Sequence, residues 1–191
     1  MKPSTIRLIS LFGAASLLAA CTTTPPAPDP AAIAVSATQH DACHAAELAG
    51  NLVQAETACT QALDNAIKAG AKDELLSQRQ YNLGRIKRLQ GKQAEAESLY
   101  KQALATEEAA IPRSDGRIGR RLVELASALS AQGKWQEGAA YLERALPLLH
   151  KMSATSRTYS IEVLNLYAKQ LQGGPQAALS KSFMETAATL K

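Results

Sequence analysis

The stretch GKQAEAESLYKQAL, residues 91–104, has a counterpart in GKWQEGAAYLERAL, residues 133–146. Each opens on glycine and places a small residue five positions later (Ala96, Gly138). A bulky residue follows (Tyr100, Leu142), and each stretch closes on Ala-Leu (Ala103-Leu104, Ala145-Leu146). The same order runs through GNLVQAETACTQAL, with Gly50, Ala55, Cys59 and Ala62-Leu63, and more loosely from Gly174, with Leu179, Phe183 and Thr186-Ala187. These four glycines stand 41, 42 and 41 residues apart, a period typical of repeat architectures.

Apolar residues around these marks recur at spacings of three and four, and few runs alternate apolar with polar, so the class is all-α. Aromatic residues make up only 4% of the chain, and beyond residue 30 the prolines are Pro112, Pro147 and Pro175. Each unit reads as a helical hairpin. Its glycine ends the first helix, where a left-handed backbone conformation is needed. Small residues on the second helix let the two backbones approach closely, and large ones fill the gap one turn on. No hairpin of this kind covers its own apolar face, so the units must stack. About four are expected, over residues 38–70, 72–109, 114–152 and 155–190.

This pattern resembles the tetratricopeptide repeat, most sharply in YNLGRIKRLQGKQAEAESLYKQAL, which carries Leu83-Gly84, Gly91, Ala96, Tyr100 and Ala103. The spacing near 42 and the long connection EEAAIPRSDGR are similar to the kinesin-light-chain variety. Departures are Lys87 at the usual tyrosine position, Gly138 in place of alanine, and the degenerate fourth unit. The resemblance implies a right-handed α-solenoid of stacked antiparallel hairpins, whose first helices line a groove that binds protein or peptide.

The N-terminus carries Lys2 and Arg7, then an apolar run from Leu8 to Ala20, too short for a lasting membrane span but suited to an export signal. It ends Leu18-Ala19-Ala20-Cys21, which resembles the bacterial lipobox, where the cysteine is lipidated and becomes the mature N-terminus. The resemblance implies a lipoprotein signal peptide over 1–20 and a lipid on Cys21. Thr22 rather than aspartate after it implies sorting to the outer membrane, facing the periplasm. Residues 21–37, rich in proline and small residues, read as a tether, leaving 38–191 as the folded domain. Removing Lys2 and Arg7 leaves 19 basic against 17 acidic side chains, too even a balance for nucleic acid. The N-terminal lipid is the only membrane attachment expected.

Residues 40–59, HDACHAAELAGNLVQAETAC, hold two of the three cysteines and two of the three histidines. If the first hairpin turns at Gly50-Asn51, Cys43 and Cys59 are equidistant from the turn and stand at the same height on facing helices. Both also occupy packing positions. With Cys21 lipidated the remaining count is even, and an exported domain folds in an oxidising space. A Cys43–Cys59 disulfide follows, with the histidines projecting outward. The alternatives are a pair of reduced buried thiols, or a metal- or redox-responsive sensor built on His40, Cys43, His44 and Cys59.

On the first helix of the second unit, Gln78, Tyr81, Arg85 and Arg88 recur at three and four. On the third unit Arg117, Arg120, Glu124 and Ser127 do the same. If both stripes face the groove, guanidinium groups flank an aromatic, an arrangement suited to carboxylates of an acidic peptide. The competing expectation is that these arginines pair with Glu95, Glu97, Glu107 and Glu108 on a solvated face. No nucleophile elbow, phosphate-binding glycine loop or further metal-ligand spacing is present. His150 sits at a helix C-terminus and Trp135 at a packing position. The expectation is a lipid-anchored adaptor for envelope or secretion/pilus-type assembly, with no catalysis and no cofactor.

Overall fold

The computed structural model describes residues 27–190; the expected signal peptide, Cys21 and the tether up to residue 26 lie outside them. Among the described residues there are eight α-helices and no strand. They are α1 (Pro30–Leu48), α2 (Leu52–Lys68), α3 (Asp73–Leu89), α4 (Gln93–Ala109), α5 (Asp115–Ser130), α6 (Trp135–Ala145), α7 (Ala154–Leu171) and α8 (Ala177–Thr189). Consecutive helices pair as α1–α2, α3–α4, α5–α6 and α7–α8, and each hairpin packs on its neighbours. This is the all-α solenoid that the repeat spacing implies.

The turns are built as glycine demands. At the end of α1 the N–H of Asn51 reaches the carbonyl of Ala46 at 2.9 Å while Gly50 adopts φ +73°. The same bond runs from Lys92 to Lys87 across Gly91, at φ +76°. A side chain at either glycine would be strained, because the left-handed conformation crowds Cβ against the backbone. In the fourth unit the residue with positive φ is Gly173, not the expected Gly174.

The start of the domain also differs. Residues 30–37, read from composition as tether, are the first two turns of α1. Proline opposes helix only in the interior; at the first position its fixed φ and missing N–H cost nothing. Asp29 caps the helix by accepting from the N–H of Ala31, and the following run is rich in alanine, the strongest helix former. Ser36 is fully buried against α2, so these turns belong to the fold. In the third unit α6 stops at Ala145, and a 3₁₀ segment (Leu146–Lys151) containing Pro147 leads to α7.

Two close approaches explain two small residues. A Cβ on Gly84 would stand 2.9 Å from the Tyr100 ring. One on Gly138 would stand 1.7 Å from the hydroxyl of Tyr167, which donates to the Ala126 carbonyl at 2.7 Å. Gly138 replaces the usual alanine because an aromatic from the next hairpin fills the space. Trp135 meets Tyr167 edge-on at 5.3 Å and Tyr167 meets Phe183 likewise at 6.3 Å, so the later units share an aromatic core.

The first unit has none of this. Its core comprises Cys43, Ala46, Ala55, Ala58, Cys59 and Leu63, backed by Leu83 and Ile86. Cys43 and Cys59 are joined by a disulfide with Cα atoms 5.1 Å apart, within the range such a bond requires. Replacing both cysteines with serine is expected to lower stability by about 3 kcal/mol on the loop-closure model, read from denaturant midpoints of the oxidised proteins. A loss confined to residues 30–68 in hydrogen exchange would accompany it.

Candidate binding groove

Successive hairpins are locked in register by buried polar contacts. Ser36 Oγ donates to the carbonyl of Ala62 at 2.7 Å and accepts from Arg79 Nε at 3.0 Å. One unit later Ser77 Oγ donates to Ala103 at 3.0 Å and accepts from Arg121 Nε at 3.2 Å. Arg79 and Arg121 are almost wholly buried. Burial pulls the Arg121 pKa down to about 10, but the guanidinium rests 4.1 Å over the Tyr81 ring, which stabilises its charge. At the turn edge Gln90 Nε2 donates to Leu52 O and Lys92 Nζ to Glu56. Gln132 Nε2 and Lys134 Nζ repeat this on Gln93 O and Glu97.

α1, α3, α5 and α7 present one face with four adjoining cavities, one of about 250 Å³ lying between Arg117, Arg120, Lys151 and Ser153. The largest, about 380 Å³, is lined by Arg85, Arg88, Arg120, Val123, Glu124, Met152, Ser153, Thr155, Ser156 and Tyr159. A second, about 210 Å³, takes in Gln78, Tyr81, Arg85, Arg117 and Arg120. A third, about 220 Å³, lies at the α1–α3 junction and adds His40, Cys43, His44, Glu47 and Asn82. All six expected groove residues, Gln78, Tyr81, Arg85, Arg88, Arg117 and Arg120, thus line shared walls.

Their charge partners differ from expectation. Among the four carboxylates expected on a solvated face, only Glu107 meets a groove arginine, with Arg117 Nε at 2.6 Å. Arg117 also reaches Glu74 at 3.0 Å, and Arg85 pairs with Glu47 across the α1–α3 junction. Arg88 Nε stands 3.5 Å from Glu124. Glu95, Glu97 and Glu108 instead serve Lys87, Lys101 with Lys134, and Arg144. Lys87, at the usual tyrosine position, bridges Glu56 and Glu95. Arg120 donates to Tyr81 Oη at 2.8 Å and, among the described residues, has no carboxylate within ion-pair distance.

Both histidines line the α1–α3 cavity of the groove, with the His44 side chain 58% exposed. Burial and Arg79 lower the His40 pKa, and Asn82 Nδ2 lies 2.7 Å from its Nε2. The metal alternative loses its donors, since both thiols are spent in the disulfide. Among the described residues no group of three histidine, cysteine or acidic side chains converges. Trp135 packs half-buried against the core, and His150 is exposed, one residue before the end of the 3₁₀ segment. Composition and spacing did not reveal the α7 contribution of Ser153, Thr155, Ser156 and Tyr159, because its apolar pattern is ordinary. The Ser36–Arg79 and Ser77–Arg121 pairs were discoverable as a serine and an arginine recurring 41 and 42 residues on.

Residues 35–109 match the model of the tetratricopeptide repeat family. Among solved structures, the chain is similar to the nearly identical TPR-like repeats of a putative kinesin light chain from Podosopora anserina, with a TM-score of 0.62 at 22% identity. The match covers 81% of this chain and 74% of that one. A singly substituted form of those repeats aligns at a TM-score of 0.63, with the same identity and coverage. At that identity the likeness shows the fold. No curated protein matches the chain in sequence.

The edge contacts carry a pH dependence. Hydrogen bonds from Lys87 and Lys92 hold the Glu56 pKa at about 2, against an ordinary 4.5. Burial pushes Glu97 up, but hydrogen bonds from Lys101, Lys134 and Gln132 outweigh it and bring that pKa also to about 2. A depressed carboxylate pKa stabilises the fold fully above its unfolded value and loses the effect as pH falls through its folded one. Melting temperature is therefore expected to fall between about pH 4.5 and 2, and Glu56→Gln with Glu97→Gln should flatten that slope.

Proposed function

We propose that this chain, which matches the tetratricopeptide repeat model over residues 35–109 and shares that fold, is a protein–protein interaction scaffold that holds an acidic, extended segment of a partner in the groove of α1, α3, α5 and α7. Stacked-repeat folds present long concave surfaces suited to binding. The observation that carries the acidic preference is the largest cavity, lined by Arg85, Arg88 and Arg120 and by one carboxylate, Glu124, with Arg85 paired to Glu47 beyond it. The N-terminus of α7, capped by Ser153, opens into the same cavity and adds partial positive charge. Val123, Met152 and Tyr159 supply an apolar wall beside these cations, so an acidic residue next to an apolar one suits the site.

The setting belongs to the same proposal. A lipid on Cys21 would tether the domain to the outer membrane of a bacterial envelope, facing the periplasm, where an adaptor for envelope or secretion/pilus-type assembly works. In sequence, Cys21 lies eight residues before Asp29, the cap of α1. No helix among the described residues is long and apolar enough to cross a membrane.

Two experiments test these readings. A fluorescein-labelled Asp/Glu-rich decapeptide is expected to bind the purified domain with an affinity that falls as salt is raised. Arg88→Ala with Arg120→Ala should weaken it by about tenfold or more; unchanged affinity would sink the acidic-segment reading. Metabolic labelling with palmitate should mark the full-length chain and pellet it with outer membranes. Cys21→Ser should abolish both, and a labelled or membrane-bound Cys21→Ser chain would overturn the anchor.

A further inference from the structure

Glu124 lies under the largest cavity with only 4% of its surface exposed. Its Oε1 accepts a hydrogen bond from Tyr81 Oη at 2.9 Å, and its Oε2 accepts from Tyr100 Oη at 3.4 Å. Arg88 Nε stands 3.5 Å from Oε2. Tyr81 Oη in turn accepts from Arg120 Nε at 2.8 Å, and the Arg120 guanidinium lies 4.7 Å above the Tyr81 ring. One buried carboxylate therefore stands within ion-pair distance of Arg88, without a hydrogen bond to its Nε, and engages Arg120 through a phenol.

We propose that Glu124 is the positioning residue that holds Arg88 by its charge and Arg120 through Tyr81, at the spacing needed to grip a partner's carboxylate. This rests on the acidic-segment reading and adds which side chain orders its arginines. Long arginine side chains lose rotamer freedom when they bind, and holding them beforehand removes that cost. A hydroxyl that donates to a carboxylate also becomes a better acceptor, so the Tyr81–Arg120 bond is strengthened by Glu124. Burial and the nearby Glu124 charge push the Tyr81 pKa above its ordinary value, which keeps the phenol a donor. At the preceding junction the corresponding pair is His40 with Asn82, neither of which is a carboxylate. The ordering device therefore belongs to the α3–α5 junction, and the tightest grip falls there.

Tyr81→Phe separates positioning from charge, because it removes the relay hydroxyl while keeping the ring and the net charge. Tyr167→Phe is the control, since it removes another buried hydroxyl that bonds Ala126 outside the groove. Affinity for the labelled decapeptide is read by anisotropy, and the Arg120 Nε–H by proton–nitrogen NMR. Tyr81→Phe is expected to weaken binding by about tenfold, with no change in Tyr167→Phe. The Arg120 Nε–H signal, distinct and slowly exchanging in the wild type, should merge into the averaged arginine envelope in Tyr81→Phe. Equal affinity of Tyr81→Phe and wild type overturns the proposal. If the wild type itself fails to bind the peptide, the acidic-segment reading falls. The NMR signal then decides: its persistence in Tyr81→Phe refutes the positioning of Arg120, and its loss upholds it.

Discussion

The register between neighbouring hairpins depends on a guanidinium that reaches back into the unit before it. Arg79 finds Ser36, Arg121 finds Ser77, and each serine passes the contact to a carbonyl of its own second helix. A buried arginine tolerates little displacement, because losing its acceptor leaves a desolvated charge unpaired. The two pairs thus set how far each first helix is advanced relative to the last. The groove inherits that setting: Tyr81 opposite Glu124, Asn82 opposite His40 and Arg85 opposite Glu47 all follow from it.

The device does not extend to the third junction. Gly119 occupies the serine position there and Glu162 the arginine position. A Cβ on Gly119 would come within 3.2 Å of Leu148 and Met152, so the chain after α6 fills the space a latch would need. That junction is held by aromatic packing around Tyr167 and by the Tyr159 hydroxyl on Ser127 Oγ at 2.7 Å. At the opposite end, the first hairpin contains no aromatic residue, and the disulfide stands where Tyr100 and Phe183 stand in later units. An end unit has a neighbour on one side only. A covalent cross-link stabilises it where packing area is scarce.

Much of the fold was legible because the repeat imposes local rules. Gly50, Gly91 and Gly133 each mark a turn whose backbone only glycine adopts without strain, and Ala62-Leu63 and Ala103-Leu104 mark buried positions on the second helices. The start of α1 was less legible. Prolines through Pro30 look the same whether they continue a tether or open a helix; the difference lies in the Asp29 cap and in Ser36 being buried by α2. In the fourth unit Gly174 fits the repeat interval, but it is its neighbour Gly173 that takes the positive φ.

The sequence by itself determined an all-α array of hairpins near 42 residues long, the pairing height of Cys43 and Cys59, and one stripe of arginines on the first helices. Those properties follow from periodicity along a single helix or hairpin. The tertiary structure alone decided which carboxylates meet those arginines, that both histidines face the groove, and that α7 closes its far wall. Each of these joins helices about 40 residues apart in sequence; buried serine–arginine contacts set the advance of the first three units, and packing on Tyr167 with the Tyr159–Ser127 bond sets that of α7. A shift of one helical residue, about 1.5 Å of rise and 100° of rotation, would replace every partner without altering the pattern on either helix.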